Sequence, residues 1–178
     1  GERRLAVVLL RPEWEAEYYG RPSVYAVAGA GEIVASERLP DGRSNILLKG
    51  LGRIMIESEI PSPKPYRVAQ ASWLDDVYPS QGEEALEPHV ERLRHMCGQL
   101  LSTLPKPVPG LVELLTDRNP PSPFVDRVSS LVVNEVEARQ RLLELTDVQQ
   151  RLAEVTSLVE RMLRRMERGI PGTRARWN

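Results

Sequence analysis

The apolar positions of this chain change their rhythm once, near Glu83. Upstream they run together or alternate, as strands require; downstream they recur at steps of four and three, as one face of a helix requires. Leu5 to Leu10 is a continuous apolar run that reads as a strand buried on both faces and ended by Arg11-Pro12. Glu13 to Tyr19 is a polar-aromatic connection with room for one helical turn. Val24, Ala26, Ala28 and Ala30 then alternate, and Gly29 and Gly31 mark a bulge or a close backbone approach. Gly31 to Trp73 predicts three strands joined by two proline-marked turns, Leu39-Pro40-Asp41-Gly42 and the segment from Ile60 to Pro65. In the first turn Pro40 pre-sets φ, Asp41 can bond its own backbone and Gly42 supplies a positive φ. Gly50 and Gly52 flank Leu51 and suggest a bend at which a strand changes sheets in a small barrel.

Beyond a polar boundary at Asp75 to Gly82, residues Leu86, Val90, Leu93, Cys97, Leu100 and Leu104 fall on one helical face. Pro88 places the start of that helix close to itself, and Leu104-Pro105 stops it. Val108 to Leu115 reads as a short helix between proline clusters. Ser122-Pro123 has the form of an N-cap and first helical position for the run Phe124, Val125, Val128, Leu131, Val132 and Val136. A polar break is expected at Glu137 to Arg141 before Leu142, Leu143 and Leu145. Asp147 caps a last helix carrying Val148, Leu152, Val155, Val159, Met162 and Met166, which Gly169 and Pro171 end. The fold class this predicts is α+β, sheet first and helices after. Its parts are a β-rich lobe over 1–78, a helical lobe over 79–172 and a basic tail over 173–178.

Composition narrows the function classes. A net charge of -1 with 28% charged residues gives no global pull toward nucleic acid or anionic lipid. Cys97 is the only cysteine, which excludes an intrachain disulfide and fits a reducing cytoplasm. No stretch is long and apolar enough to span a membrane, and Leu5 to Leu10 is too short for a signal-peptide core.

An ordered series of residues resembles a known family. Gly31-Glu32-Ile33 is followed by Glu37-Arg38-Leu39-Pro40-Asp41-Gly42-Arg43, then by the run from Asn45 to Arg53 (NILLKGLGR), then by Pro65-Tyr66-Arg67-Val68-Ala69. In the second half Asp126-Arg127-Val128, the run from Glu137 to Glu144 (EARQRLLE) and Arg151-Leu152 continue it. This series is similar to the N-terminal, substrate-binding domain of the Lon proteases, found also in stand-alone bacterial proteins. The resemblance implies a PUA-like β pseudo-barrel followed by a helical lobe. It also implies a non-enzymatic role: recognition of unfolded or specific protein segments, with a protease or chaperone as a further partner. Members of that family usually begin with an earlier strand and a helix bearing an Arg-Tyr pair. Neither precedes Leu5, so the expectation is a barrel lacking its first strands.

Other chemistry has little to stand on in the sequence. No glycine-rich loop ends in Gly-Lys-Ser/Thr, as phosphate binding by an ATPase loop requires. Lysine occurs only at Lys49, Lys64 and Lys106, without the serine motif of a Ser-Lys peptidase centre. His89, His95 and Cys97 are too few for a zinc site, and His95 and Cys97 point apart on a helix. The expectation is therefore no metal and no cofactor, with Cys97 as a small core hydrophobe. The carboxylates Glu13, Glu15, Glu17 and Glu83, Glu84, Glu87 read as solvated faces rather than acid–base pairs. Arginines at 161, 164, 165, 168, 174 and 176 keep an RNA- or nucleotide-binding module as the alternative function, although Glu160 and Glu167 interleave with them. A small-molecule pocket in the barrel mouth is a third class. Trp14, Tyr18 and Tyr19 are the candidate peptide-binding residues, because aromatic side chains give large, rigid contact area. The competing reading is that they fill the gap between barrel and helices. The helical seams are short, which favours packing within the lobe over a coiled-coil dimer.

Overall fold

The computed structural model describes residues 3–104, 106, 108–116 and 118–168. The end of the last helix at Gly169 and Pro171, the arginines at 174 and 176, and the basic tail lie outside the described residues. The chain forms two compact units, Gly1–Asp75 and Asp76–Asn178.

The first unit is an antiparallel sheet of β1 (Arg4–Val7), β2 (Val27–Arg38), β3 (Ser44–Ile60) and β4 (Val68–Leu74), in the order β1-β2-β3-β4. The sheet is open, with β1 and β4 at its edges; among the described residues no ladder joins them into a barrel. The two turns predicted at the proline marks are where β2 meets β3 and β3 meets β4. In the first, Gly42 takes φ 88° and its N–H donates to Leu39 O at 3.1 Å. Asp41 accepts from the Arg43 backbone at 3.0 Å and from Arg43 Nε at 2.7 Å; those bonds hold its carboxyl below the usual carboxylate range.

Several expectations for this unit need correction. The apolar run at the N-terminus is a strand only over Arg4–Val7, and it is not buried on both faces: Val7 is 57% exposed. An edge strand in an open sheet is covered on one side of its ladder only, so an unbroken apolar run does not guarantee a central position. Leu10 instead makes an isolated bridge to Val24, and β2 begins three residues later at Val27. The glycines around Leu51 do not send the strand into another sheet. β3 runs unbroken through them, and the pairing shifts from Ala30↔Gly52 to Gly31↔Gly50, which leaves Leu51 as the extra residue of a β-bulge.

Gly31 has the close approach its position suggested. A Cβ built there would lie 2.6 Å from Leu48 Cγ on the neighbouring strand. Gly31→Ala should therefore force Leu48 aside and cost about 1–3 kcal/mol. Equal denaturation midpoints for the variant and the parent would refute that cost.

The second unit contains α1 (Glu87–Thr103), α2 (Pro109–Thr116), α3 (Pro121–Val132), α4 (Val136–Glu144) and α5 (Val148–Glu167). A 3-10 turn over Glu83–Leu86 leads into α1, which carries a proline in its first turn. One continuous core gathers the predicted seams: Leu86, Val90, Leu93, Cys97 and Leu100 meet Phe124, Val125, Val128, Leu152, Val155 and Val159. Asp147 caps α5 as expected, accepting from Gln150 N at 2.9 Å.

Two helix boundaries differ from the pattern. Pro120, not Ser122, is the N-cap of α3, and no side chain caps it. The Ser122 hydroxyl is drawn away by stronger, charged partners described below. The break falls at Val133–Glu135, and Glu137 to Arg141 lie inside α4. Arg139 closes the end of α3 instead: its Nε donates to Val133 O at 2.5 Å and its Nη2 to Ser130 O at 3.0 Å. A polar segment was thus an amphipathic helix whose polar face supplies its neighbour's C-terminal cap.

Candidate functional site

The loop between β1 and β2 carries the aromatic cluster. Its neck is pinned by the Leu10–Val24 bridge, by Arg11 N to Ser23 O at 2.9 Å and by Tyr25 N to Leu9 O at 2.9 Å. Arg11 adds a bond from Nε to Val24 O at 3.2 Å and lies over the Tyr25 ring at 5.1 Å. On the far side, Arg67 Nη1 donates to Pro22 O at 2.8 Å while Arg67 and Arg21 both pair with Glu59. The hydrogen bond from Arg67 holds the Glu59 carboxyl below its ordinary pKa.

Within this anchored loop the chain turns sharply. Glu13 adopts φ 68°, ψ 15°, a left-handed conformation that non-glycine residues rarely take. A single 3-10 turn over Trp14–Glu17 follows, and Gly20 N closes it on Glu17 O at 2.7 Å. The turn brings all three predicted aromatics together: the Trp14 and Tyr18 rings lie 5.5 Å apart, the Tyr18 and Tyr19 rings 5.1 Å apart and edge to face. Trp14 is half-buried, Tyr18 is 58% exposed and Tyr19 is 99% exposed. The rings therefore form a graded surface, anchored at Trp14 and open at Tyr19. Its chemistry is contact: apolar faces, two phenolic hydroxyls and the carboxylates Glu13, Glu15 and Glu17 around them.

The other chemical candidates sit in the helical unit. Cys97 lies in the seam of α1, and burial pushes its thiol up to about 12, so it is a protonated core residue. His89 and His95 are on the exposed side of the same helix. Among the described residues no three His, Cys, Asp or Glu side chains gather as metal ligands. Arg161, Arg164, Arg165 and Arg168 are exposed along α5.

One constellation escaped the sequence reading. Arg151 of α5 is fully buried. Its Nη2 donates to Asp76 Oδ1 at 2.9 Å and to Ser122 Oγ at 2.8 Å, its Nη1 to Leu145 O at 2.6 Å, and its Nε faces Asp126 Oδ1 at 3.1 Å. Ser122 in turn donates a short bond to Asp76. Tyr78 sits beside this group; burial, with Glu83 and Asp76 adding to it, raises its pKa above the ordinary value. The signal was present: Arg151 stands three after Val148 and four before Val155, on the apolar stripe of its own helix. A charge at such a position is kept only with partners.

The family model described as the ATP-dependent protease La (LON) substrate-binding domain matches residues 1–161. A Lon protease of Cytophaga hutchinsonii is 22% identical over 168 residues, covering 94% of this chain and 20% of that protein. A Lon protease of Geobacter metallireducens is 27% identical over 146 residues, covering 81% of this chain and 17% of that protein. The chain thus spans about a fifth of the length of these relatives. Among solved structures, the N-terminal domain of a Mycobacterium avium complex Lon protease has a similar fold, with a TM-score of 0.58 at 13% identity, over 88% of this chain and 90% of that one.

Proposed function

From the premise that this chain belongs to the LON substrate-binding domain family, we propose that it recognises polypeptide segments by apolar contact and performs no bond chemistry of its own. Unfolded or partly unfolded clients are the substrates this reading assigns, handed on to a protease or chaperone, and the cytoplasm is where such clients meet it. The aromatic turn Trp14–Tyr19 is the contact surface. The observation that supports this most is the state of Tyr19: 99% exposed, yet set edge to face against Tyr18 in a loop pinned at its neck. A large ring held in water by a rigid support is pre-organised for a partner and loses little entropy on binding. An exposed edge of the sheet offers a second element of the same reading, strand addition by an extended client.

The test is titration of fluorescein-labelled casein, an unfolded polypeptide, into the full chain, read by anisotropy. Replacing both Tyr18 and Tyr19 with serine should weaken binding at least about thirtyfold, since buried aromatic anchors are worth upward of 1 kcal/mol each. Tyr66→Ser, which removes another exposed tyrosine, should leave it unchanged. High salt should also leave it largely intact, whereas phosphate-dominated RNA binding would collapse. Equal affinity for the parent and the double variant would sink the assignment of the aromatic turn.

A further inference from the structure

On the helical unit, α1 and α5 pack together and leave a shallow depression of about 460 Å³ between them. Partly buried Leu163 and the exposed edge of the core residue Met96, 7% accessible, give it its apolar surface; Arg92, His95, Glu160 and Arg164 stand around them. Glu160 is held from both sides, by Arg92 Nη2 at 2.6 Å and by Arg164 Nη2 at 3.0 Å. The two guanidiniums are 67% and 64% exposed, while Glu160 is 26% exposed. Each guanidinium spends one N–H on that carboxylate and makes no other hydrogen bond or ion pair among the described residues. A guanidinium carries five N–H donors in a planar fork suited to carboxylates. The surroundings add to the imbalance: Arg161, Arg165 and Arg168 are exposed on the same stretch of α5, against Glu167.

We propose that this depression docks an acidic, aliphatic segment of a partner polypeptide. A carboxylate of that segment bridges Arg92 and Arg164 beside Glu160, and a neighbouring aliphatic side chain lies on Met96 and Leu163. Two features select this occupant. The excess of unspent arginine donors calls for an anion, and the methionine and leucine walls call for aliphatic surface beside it, which a nucleic-acid backbone does not present. This surface lies on the helical unit and does not depend on the aromatic turn.

The test uses the full chain and two short fluorescein-labelled peptides of equal leucine content, one with glutamate and one with lysine at the remaining positions. Anisotropy should show the glutamate peptide bound at low salt and released as salt rises, and the lysine peptide bound at least about tenfold more weakly. Replacing both Arg92 and Arg164 with glutamine should cost the glutamate peptide about tenfold in Kd. Arg141→Gln, an exposed arginine on α4, and the serine replacements at Tyr18 and Tyr19 should leave that Kd unchanged. Circular dichroism checks that each variant is folded. Equal binding of the two peptides, an unchanged Kd in the Arg92/Arg164 variant, or stronger binding of a single-stranded RNA competing for the same arginines would each overturn the proposal. Loss of casein binding without loss of the glutamate peptide, or the reverse, separates this surface from the aromatic turn.

Discussion

Truncating Arg151 to alanine is expected to destabilise the helical unit by about 3–5 kcal/mol and to lower its Tm by roughly 10 °C or more. The side chain is fully buried and reaches four groups at once: Asp76, Ser122, Asp126 and Leu145 O. Alanine would leave a cavity, would take from Leu145 O the guanidinium N–H it accepts and would leave Ser122 Oγ with only its bond to Asp76. The two aspartates are better placed, at 24% and 36% exposed, and can take up water. Arg151→Met should therefore do less damage than alanine, since it fills the volume and leaves carboxylates that reach solvent. Lysine keeps the charge but cannot span the same donors. Thermal melts followed at 222 nm rank the three variants. A Tm for Arg151→Ala within 2 °C of the parent, well inside what a loss of ~1 kcal/mol gives, would show that the network contributes little.

The second large effect is expected at Phe124. Its ring is fully buried in α3, beneath the Arg94 guanidinium at 4.6 Å. That same guanidinium donates from Nη1 to Leu114 O at 3.0 Å and to Leu115 O at 3.1 Å, satisfying carbonyls at the end of α2. One ring thus sits where α1, α2 and α3 converge. Phe124→Ala should cost about 3–5 kcal/mol, from lost burial and from the void left behind. The loss should appear as a lower urea midpoint with an unchanged slope. A double-mutant cycle with Arg94→Met should return a coupling of about 0.5–2 kcal/mol for the cation–ring contact. A cost for Phe124→Ala below about 1 kcal/mol would mean that α3 is not part of the cooperative core.

Periodicity in the sequence located most of the elements, because burial of one face is what creates periodicity. It failed where another force took over. The strand at Leu5 was over-read because an apolar run records hydrophobicity and not position in a sheet. Ser122 looked like a cap because serine before proline commonly is one; an arginine twenty-nine residues away captured its hydroxyl instead. The segment Glu137 to Arg141 looked like a break because its charged residues face water and the end of α3, while Gln140 is buried and donates to Glu144. The aromatic turn was legible as composition, since Trp14, Tyr18 and Tyr19 stand close together, but its exposure was not, because neighbours in sequence say nothing of what covers them.

Several residues that carry the family resemblance are engaged in holding the fold. Asp41 and Arg43 close the β2–β3 turn, Gly31 admits Leu48, and Arg67 ties Glu59 to Pro22. Asp126 and Arg151 pair, and Arg139 caps α3. Such a signature identifies a scaffold, and it explains why the sequence names the family without naming a binding surface. The two surfaces proposed here lie outside those motifs.

The long ribbon of the sheet has a mechanical side. β3 has 17 residues, about 55 Å of extended chain, but its neighbours are unequal. Arg53–Ile60 is flanked by β4, whereas Ser44–Leu48 pairs only with the β2 residues from Ile33 to Arg38. A two-stranded ribbon is marginal in water, so the half nearer the Pro40–Gly42 turn opens and recloses at little cost while the root stays shut. The sheet is in effect a stiff base with a compliant arm, and the tip of that arm is where added chain length would disturb the molecule least.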